Sequence, residues 1–502
     1  MMQSIKEDSN EKEHFELAQP EFEKEKEKES ERRWEILKET FVEFSQRTDI
    51  NAYGKIFVYE NNFVKLVWLV IFFGSLSLTA WVMSWSVSAY LQYGVVSQIG
   101  VVFETPTEFP AVTFCDSNPF TRTVKLPVWK NNMLSSRDNN LISGRMYASD
   151  PSYGDKNRQK LGLNKSQLTT GTYAYCLYNN IDCKKDLHWY WDYDYGNCFQ
   201  FNVGLNSSNQ PIALKQSSSQ DPELGLRIGL FPLVNENVYT SDLPGGIVVF
   251  VHNASMRPLK SDGIFIKMGE KSLISVKRTF IDNVNSPYTD CQDLTSYSST
   301  LYDFIKNSKQ YSTYRQKDCL NLCIQESIIS QCNCFYSGFD NPYSNLTVKP
   351  CLSFKDYTCF TNVFNKFVPN ECASNSCPLE CEYIEYDLTI SSLISPTYLD
   401  YQINTINDKS QGFCNANLFG YLCNGGLIDY ETFKSYFSSF TVFYSSSSYT
   451  LLETTPAMTL VNLMANLSGT MGIVVSVSLF TLFEIAEFIL LMLHALIFKK
   501  TI

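Results

Sequence analysis

The sequence predicts a membrane protein in which two transmembrane helices flank a large, mixed α/β, disulfide-rich extracellular domain. Three observations carry this reading: two long uncharged apolar stretches lie near the ends, basic residues crowd one side of each, and all 16 cysteines fall between them, from Cys115 to Cys423. Hydrophobic residues make up 44% of the chain and charged ones only 19%, and the strongly apolar length is confined to those two places. That asymmetry is the pattern of two anchors around a soluble middle.

The first stretch, Leu66 to Leu91, holds no charged residue. At about 1.5 Å per residue a helix of that length crosses a hydrocarbon core of about 30 Å, so a span over 63–91 is expected. The second, Thr454 to Phe483, is equally free of charge and resumes after Glu484 and Glu487 as Phe488 to Phe498, so a second span is expected over 454–498. Buried helices of a soluble core are the alternative, but runs of more than about 18 apolar residues are the mark of a span.

Lys and Arg near membrane ends are retained on the cytoplasmic side. Arg47, Lys55 and Lys65 precede the first span and no basic residue follows it until Arg122; Lys434 is the nearest before the second span, and Lys499 with Lys500 follow it directly. Both ends are therefore expected inside: 1–62 as a cytoplasmic N-terminal region, 92–453 as the extracellular domain and 499–502 as a short cytoplasmic tail. The first span is expected to direct insertion, because the charged start has no apolar signal core. Disulfides persist only in oxidising compartments, and an even number of cysteines confined to the outer segment agrees with this topology. A metal site is disfavoured, since no histidine lies between Cys319 and Cys381. Sequons at Asn164, Asn206, Asn253 and Asn345 are available for glycosylation, whereas a fifth at Asn466 lies at membrane depth.

The net charge of −11 and the Glu-Lys alternation from Glu21 to Glu31 argue against nucleic-acid binding and read as a solvated tail or a short charged helix. No nucleophile elbow, P-loop or metalloprotease helix points to an enzyme, and no cofactor is called for.

Within the outer segment, Phe109-Pro-Ala-Val-Thr-Phe-Cys115 reads as a strand with its proline at the start, and Gly246-Ile-Val-Val-Phe-Val-His252 as a β-branched strand. A helix is expected from Tyr302 to Lys317, continuing through Cys319 to Ser330. The cysteine density from Cys319 to Cys381 suggests a stiff, cross-linked rod able to transmit motion.

In the second apolar stretch Ala465, Asn466, Gly469 and Gly472 form a small-residue segment, followed by Ser476-Val477-Ser478. Small residues let helices approach closely, which serves a pore wall or ordinary helix packing equally. Glu484 and Glu487 share one helix face. A charged side chain at the bilayer centre costs roughly 2.5–3.5 kcal/mol on insertion scales and is tolerated when it faces water or a partner. The pair either lines an aqueous conduit or marks the cytoplasmic edge of a shorter span.

Several motifs, taken in order, resemble the degenerin, epithelial sodium channel and acid-sensing ion channel family, over about Thr48 to Phe498. Phe109 to Cys115 resembles its strand after the first span, Tyr195-Gly-Asn-Cys198-Phe-Gln-Phe-Asn202 its tyrosine-glycine-asparagine-cysteine motif, and Ser286-Pro-Tyr288 before Cys291 and the cysteine cluster also match. The resemblance implies a trimer, homomeric or heteromeric, of hand-shaped subunits with a β-sheet palm and a disulfide-rich thumb. It implies the pairs Cys115 with Cys198, Cys176 with Cys183, Cys291 with Cys381, Cys319 with Cys377, Cys323 with Cys372, Cys332 with Cys359 and Cys334 with Cys351, with Cys414 and Cys423 left for each other. Ser476-Val477-Ser478 is similar to the family's glycine-x-serine selectivity filter, where the helix over 454–498 is interrupted near 476–478, with serine at the usual glycine. Asp49-Ile-Asn-Ala-Tyr53-Gly54 resembles its re-entrant histidine-glycine gating motif, with tyrosine for histidine and Gly54 suited to a positive-φ turn or a close approach. Tyr93 and Tyr288 match positions that touch at the wrist, where the outer domain meets the pore.

The resemblance implies a plasma-membrane, sodium-preferring, voltage-independent cation channel within the lipid bilayer, blocked by amiloride-type compounds and opened by an extracellular stimulus. In a trimer Glu484 and Glu487 would form acidic rings that attract cations and repel anions. The outer segment holds only His188 and His252, and Tyr93-Gly-Val-Val96 lacks the histidines of acid-sensing members, so a ligand such as a neuropeptide is favoured over protons. Proton-gated, force-gated and constitutively open members are the alternatives. More distant are an ATP-gated trimeric channel and a non-conducting surface receptor.

Overall fold

A computed structural model describes residues 34–35, 37–47, 51–120, 137–164, 174–232, 245–294, 297–307, 313–341, 348–370, 372, 376–407 and 428–498. The chain divides into two compact units, one formed by residues up to 96 together with those from 456 onward, the other by 97–455.

In the first unit a 30-residue helix, Asn62–Leu91, starts where the Asn61 side chain accepts from the Phe63 N–H at 2.9 Å. Among the described residues it is the one helix long and apolar enough by itself to cross a membrane. Phe63, Trp81 and Trp85 expose 72%, 69% and 70% of their surface, an outer face suited to an apolar solvent. The second apolar region, expected as a helix over 454–498 interrupted near 476–478, begins its helical part later than expected. Its first residues end a strand, Ser448–Pro456, and the region then divides into helices Leu460–Val475 and Leu479–Phe498. Thr459 caps the first of these, accepting from Asn462 N–H at 3.1 Å. That helix packs on Asn62–Leu91 and buries Leu463. A short helix, Asn51–Val58, also packs on Asn62–Leu91.

The outer unit is mixed α/β. Its larger sheet has eight strands; the 13-residue strands Glu270–Asp282 and Glu382–Ile394 pair antiparallel in register along their full length. Glu270–Asp282 also pairs in parallel with Ser438–Tyr444 and, further along, with Ser448–Pro456. A second sheet of five strands contains Ala111–Asp116, Gly196–Phe201 and Ile247–His252, all fully buried. Pro110 immediately precedes the first of these, where its missing N–H breaks no ladder. Phe114, Phe201, Ile228, Val249, Val276 and Phe440 belong to the core cluster shared by the two sheets. Burial on both faces explains why these strands are nearly continuous in apolar residues.

The helix expected from Tyr302 through Ser330 is two helices, Thr300–Asn307 and Gln316–Cys332. Arg315 is extended (φ −141°, ψ 132°), and its guanidinium turns onto the Asp318 carboxylate at 2.9 and 3.0 Å, so the second helix begins afresh. Asn333, left-handed at φ 54°, ends it.

Seven disulfides join the described cysteines. Cys115–Cys198 links registered partners in the five-stranded sheet, and Cys176–Cys183 closes a short loop. Cys291–Cys381 ties the two ends that flank the helical segment. Cys319–Cys377, Cys323–Cys372, Cys332–Cys359 and Cys334–Cys351 are strung along that segment, where helix Gln316–Cys332 packs on Phe354–Lys366. Cys414 and Cys423 lie outside the described residues.

His252 ends its strand fully enclosed. Its Nδ1–H donates to the Asn253 carbonyl at 2.9 Å and its Nε2 accepts from the Thr113 hydroxyl at 2.7 Å, which itself accepts from Gln200 Nε2 at 3.1 Å. Burial, only partly offset by backbone hydrogen bonds, pulls the imidazole from 6.5 down to about 4. Between those values the unfolded chain binds a proton that the folded chain refuses. The stabilisation is complete above about pH 6.5 and is lost as pH falls through about 4, up to on the order of 3 kcal/mol. Thermal unfolding of the purified protein is expected to show a falling midpoint across this window, with a shallower fall in His252→Gln. Equal slopes in the two proteins would exclude His252 as the source.

Candidate functional site

The interruption at residues 476–478 is built from three short polar devices. Ser476 takes the left-handed conformation, φ 60° and ψ 23°, and its N–H bonds to the Met471 carbonyl. Val477 N–H reaches the same carbonyl at 3.2 Å, so one acceptor closes the end of helix Leu460–Val475. Ser478 then opens the next helix. Its N–H donates to Thr481 Oγ1 at 3.0 Å while Thr481 N–H donates back to Ser478 Oγ at 3.4 Å, a reciprocal cap. Thr481 is completely buried.

N-terminal to the break, Ala465, Asn466, Gly469 and Gly472 are all exposed in the single chain. A Cβ added to either glycine would meet nothing within 4 Å. Helix Leu460–Val475 thus packs on Asn62–Leu91 and buries Leu463, while Ala465, Asn466, Gly469 and Gly472 stay open beside the larger Val461, Met464 and Ile473.

C-terminal to the break, Glu484 is half-buried and Glu487 exposed on helix Leu479–Phe498. Both line a cavity of about 290 Å³ with Phe488 and Leu491 on one wall and Thr40, Glu43, Phe44 and Arg47 on the other. The second wall is the helix over 37–47. Two carboxylates one turn apart thus follow a backbone break between apolar helices and border this cavity. Among the described residues no cluster of His, Cys, Asp and Glu has the arrangement of a metal site.

Residues 44–488 match a known family described as the amiloride-sensitive sodium channel. The chain belongs to that family. It is similar to the bile acid-sensitive ion channel of Homo sapiens, 23% identical over 472 residues that cover 89% of this chain and 85% of the relative. It resembles acid-sensing ion channel 1 of Gallus gallus at 22% identity, over 89% of this chain and 82% of the relative. It also resembles the epithelial sodium channel subunit gamma-2 of Xenopus laevis at 24% identity, over 62% of this chain and 44% of that subunit. Members of this sodium channel family are plasma-membrane ion channels and not enzymes.

In this member of the sodium channel family Tyr53 and Gly54 lie in helix Asn51–Val58. The positive-φ turn expected at Gly54 is therefore absent. Gly54 is buried in mid-helix. Tyr53 has Ser45 Oγ at 3.2 Å from its hydroxyl, and its ring is 5.7 Å from that of Phe72. Tyr93 follows the first long helix at φ 50°, its ring 6.4 Å from Tyr90. Tyr288 sits in the turn before Cys291, its N–H donating to the Asn285 carbonyl at 3.2 Å. Of the sequons, Asn164, Asn206 and Asn253 are all partly exposed. Asn345 lies outside the described residues.

One feature of the outer unit escaped sequence reasoning. A cavity of about 550 Å³ is lined by Tyr190, Asp192, Asp194, Arg257, Asp318 and Asp340 among others. Arg257 donates to the Tyr190 hydroxyl at 2.6 Å and to Asp340 at 3.0 Å, and Asp194 receives Arg145 at 3.3 Å and Lys260 at 3.1 Å. Desolvation first and the neighbouring Asp194 charge second raise the Asp192 carboxyl above its usual range, against bonds from the Asp194 and Tyr195 N–H groups. Burial likewise raises Asp318, against its pairing with Arg315. The run His188-Trp-Tyr-Trp-Asp-Tyr-Asp-Tyr195 was the available signal, for aromatic and acidic residues seldom alternate so densely. Arg257 and Asp340 carry no local signal at all.

A non-glycine residue in the left-handed region costs roughly 1 kcal/mol. Ser476→Gly is therefore expected to keep surface expression and raise thermal stability by up to about 1 kcal/mol. Ser476→Val, β-branched, is expected to lose surface expression or current. Cell-surface biotinylation together with a thermal-shift measurement checks both, and a Val variant behaving like wild type would remove the left-handed residue from the account.

Proposed function

We propose that this chain is one subunit of a trimeric, voltage-independent, sodium-preferring cation channel opened by an extracellular ligand such as a neuropeptide. The observation that carries the reading is the capped break at Ser476, Val477 and Ser478, between two apolar helices and followed by Glu484 and Glu487. A break in a membrane helix is tolerated where it is buried in protein or lines a watery path, and its carbonyls and hydroxyls are then available to ions. In this reading the break discriminates sodium by size, the two carboxylates form acidic rings that exclude anions, and the open small residues Ala465, Asn466, Gly469 and Gly472 line the pore and gate. The ends up to 62 and from 499 are cytoplasmic, 63–91 and 454–498 span the bilayer, and 92–453 is outside with glycans on its sequons. Amiloride-type compounds block the path.

Assembly into a trimer of hand-like subunits is supported by unpartnered apolar surface. Ile99, Val101 and Phe103 on strand Val95–Phe103, at the sheet edge, expose 75%, 62% and 83% of their area, more than an isolated outer domain leaves in one row. The cross-linked helical segment, pinned by four disulfides, acts as the lever, and Tyr93 with Tyr288 as the coupling between outer domain and pore.

A ligand is favoured over protons because burial holds His252 at about 4 and lowers His188, so neither gains charge near neutral pH. The raised Asp192 carboxyl beside Asp194 supports a second reading, in which protons open the channel by neutralising that pair.

Expression of the chain alone in oocytes, with pH steps and peptide libraries applied with and without amiloride, tests conduction and stimulus together. A sodium current blocked by amiloride and evoked by peptide is expected. A current evoked by acid and lost in Asp192→Asn selects the second reading, and no sodium current under any condition rejects a self-sufficient channel. Glu484→Gln with Glu487→Gln is expected to cut unitary sodium conductance by roughly half or more at low ionic strength. Tyr288→Ala is expected to reach the surface normally yet lose the evoked current; unchanged activation would refute the coupling role.

A further inference from the structure

The helix over 37–47 is fastened to the same stretch of the second apolar region that carries Glu484 and Glu487. Phe44 stacks on Phe488 with ring centroids 4.3 Å apart and planes inclined by 24°, and Phe41 meets Phe488 edge-on at 6.3 Å and Phe57 at 6.1 Å. Arg47 stands one helical turn beyond Phe44, and Glu487 is the chain neighbour of Phe488. The 290 Å³ cavity they share is lined by three carboxylates, Glu43, Glu484 and Glu487, and by one cationic side chain, Arg47. A space that small holds its walls within roughly 10 Å of each other, about one Debye length at 0.1 M salt, so these charges act on one another. Arg47 also bonds Glu43 at 2.8 Å, with side chains 78% and 61% exposed. An exposed i,i+4 pair of this kind is weak, so its charges still contribute to the field in the cavity.

We infer that Arg47 is a specificity-determining residue: its charge offsets part of the field of Glu484 and Glu487 and so sets how strongly the inner end of the ion path concentrates cations. The inference rests on the reading that those two carboxylates border the conduit. Each subunit then presents a net of two negative charges in the cavity rather than three. The stacking of Phe44 on Phe488 holds the guanidinium there, so docking of the N-terminal helix also regulates permeation.

The field is measured directly in the purified full-length protein carrying Leu491→Cys, which lines the same cavity and leaves Glu484 and Glu487 in place, and no native cysteine lines it. The ratio of labelling rates by a cationic and an anionic methanethiosulfonate reagent, corrected for the protein without the added cysteine, reports the local potential. Arg47→Gln is expected to raise that ratio by about two- to fivefold at low salt, Arg47→Lys to restore it, and 1 M salt to abolish the difference. The exchanged pair Glu43→Arg with Arg47→Glu, which keeps the net charge, is expected to stay near wild type even if Arg47→Gln folds poorly. An unchanged ratio in Arg47→Gln overturns the inference. Unitary sodium conductance in planar bilayers separates it from the pore reading: Arg47→Gln is expected to raise conductance at low salt. Conductance unaltered by Glu484→Gln with Glu487→Gln removes the pore reading itself, whereas a loss there with no effect of Arg47→Gln removes only the role of Arg47.

Discussion

Every backbone N–H and C=O inside a bilayer needs a partner, because hydrocarbon supplies none. That constraint makes an unbroken helix the default, and it makes the interruption at Ser476 to Ser478 the feature on which the membrane unit turns. The break persists because its polar groups are satisfied locally. Met471 offers one carbonyl to two N–H groups, and Ser478 and Thr481 cap each other. Ser476 carries the remaining cost in its left-handed backbone. Glu484 and Glu487 stand one turn apart on the next helix, where charge among apolar residues is costly unless it meets water or a partner.

The outer unit answers a different demand. It holds together outside any hydrocarbon, and two kinds of cross-link stiffen it. Glu270–Asp282 and Glu382–Ile394 run in full register over 13 residues, joined covalently at one end by Cys291–Cys381. Four further disulfides fasten the helical segment at intervals and lower the entropy of its unfolded chain. The charged cavity bounded by Asp192, Arg257 and Asp340 lies in this body. There the opposing charges are already paired, so a ligand or a proton entering it has bonds to exchange rather than vacancies to fill.

Much of this was legible in one dimension. Uncharged runs identified both apolar regions, basic flanks suggested their orientation, and the dense cysteines marked the cross-linked segment, because each of these is a local property of composition. Ser476 to Ser478 stood out only through the family resemblance, because small residues in an apolar stretch serve ordinary helix packing equally. Local reading failed at Gly54, where a glycine suited to a turn lies within a helix, and at Arg315, where an ion pair with Asp318 restarts a helix that periodicity would have continued. At Arg315 the deciding partner is a short-range contact that periodicity does not encode.

The sequence by itself determined the division of the chain into apolar ends and an oxidised middle, and with it the family, since hydrophobicity and cysteine content act wherever the residues stand. Only the tertiary structure decided which distant charges share a space. Arg47 meets the wall that holds Glu484 and Glu487, more than 400 residues away along the chain, because Phe44 stacks on Phe488. Arg257 likewise joins Tyr190 to Asp340. Electrostatic interaction depends on separation in space and on solvent exclusion, and neither is a property of position in sequence.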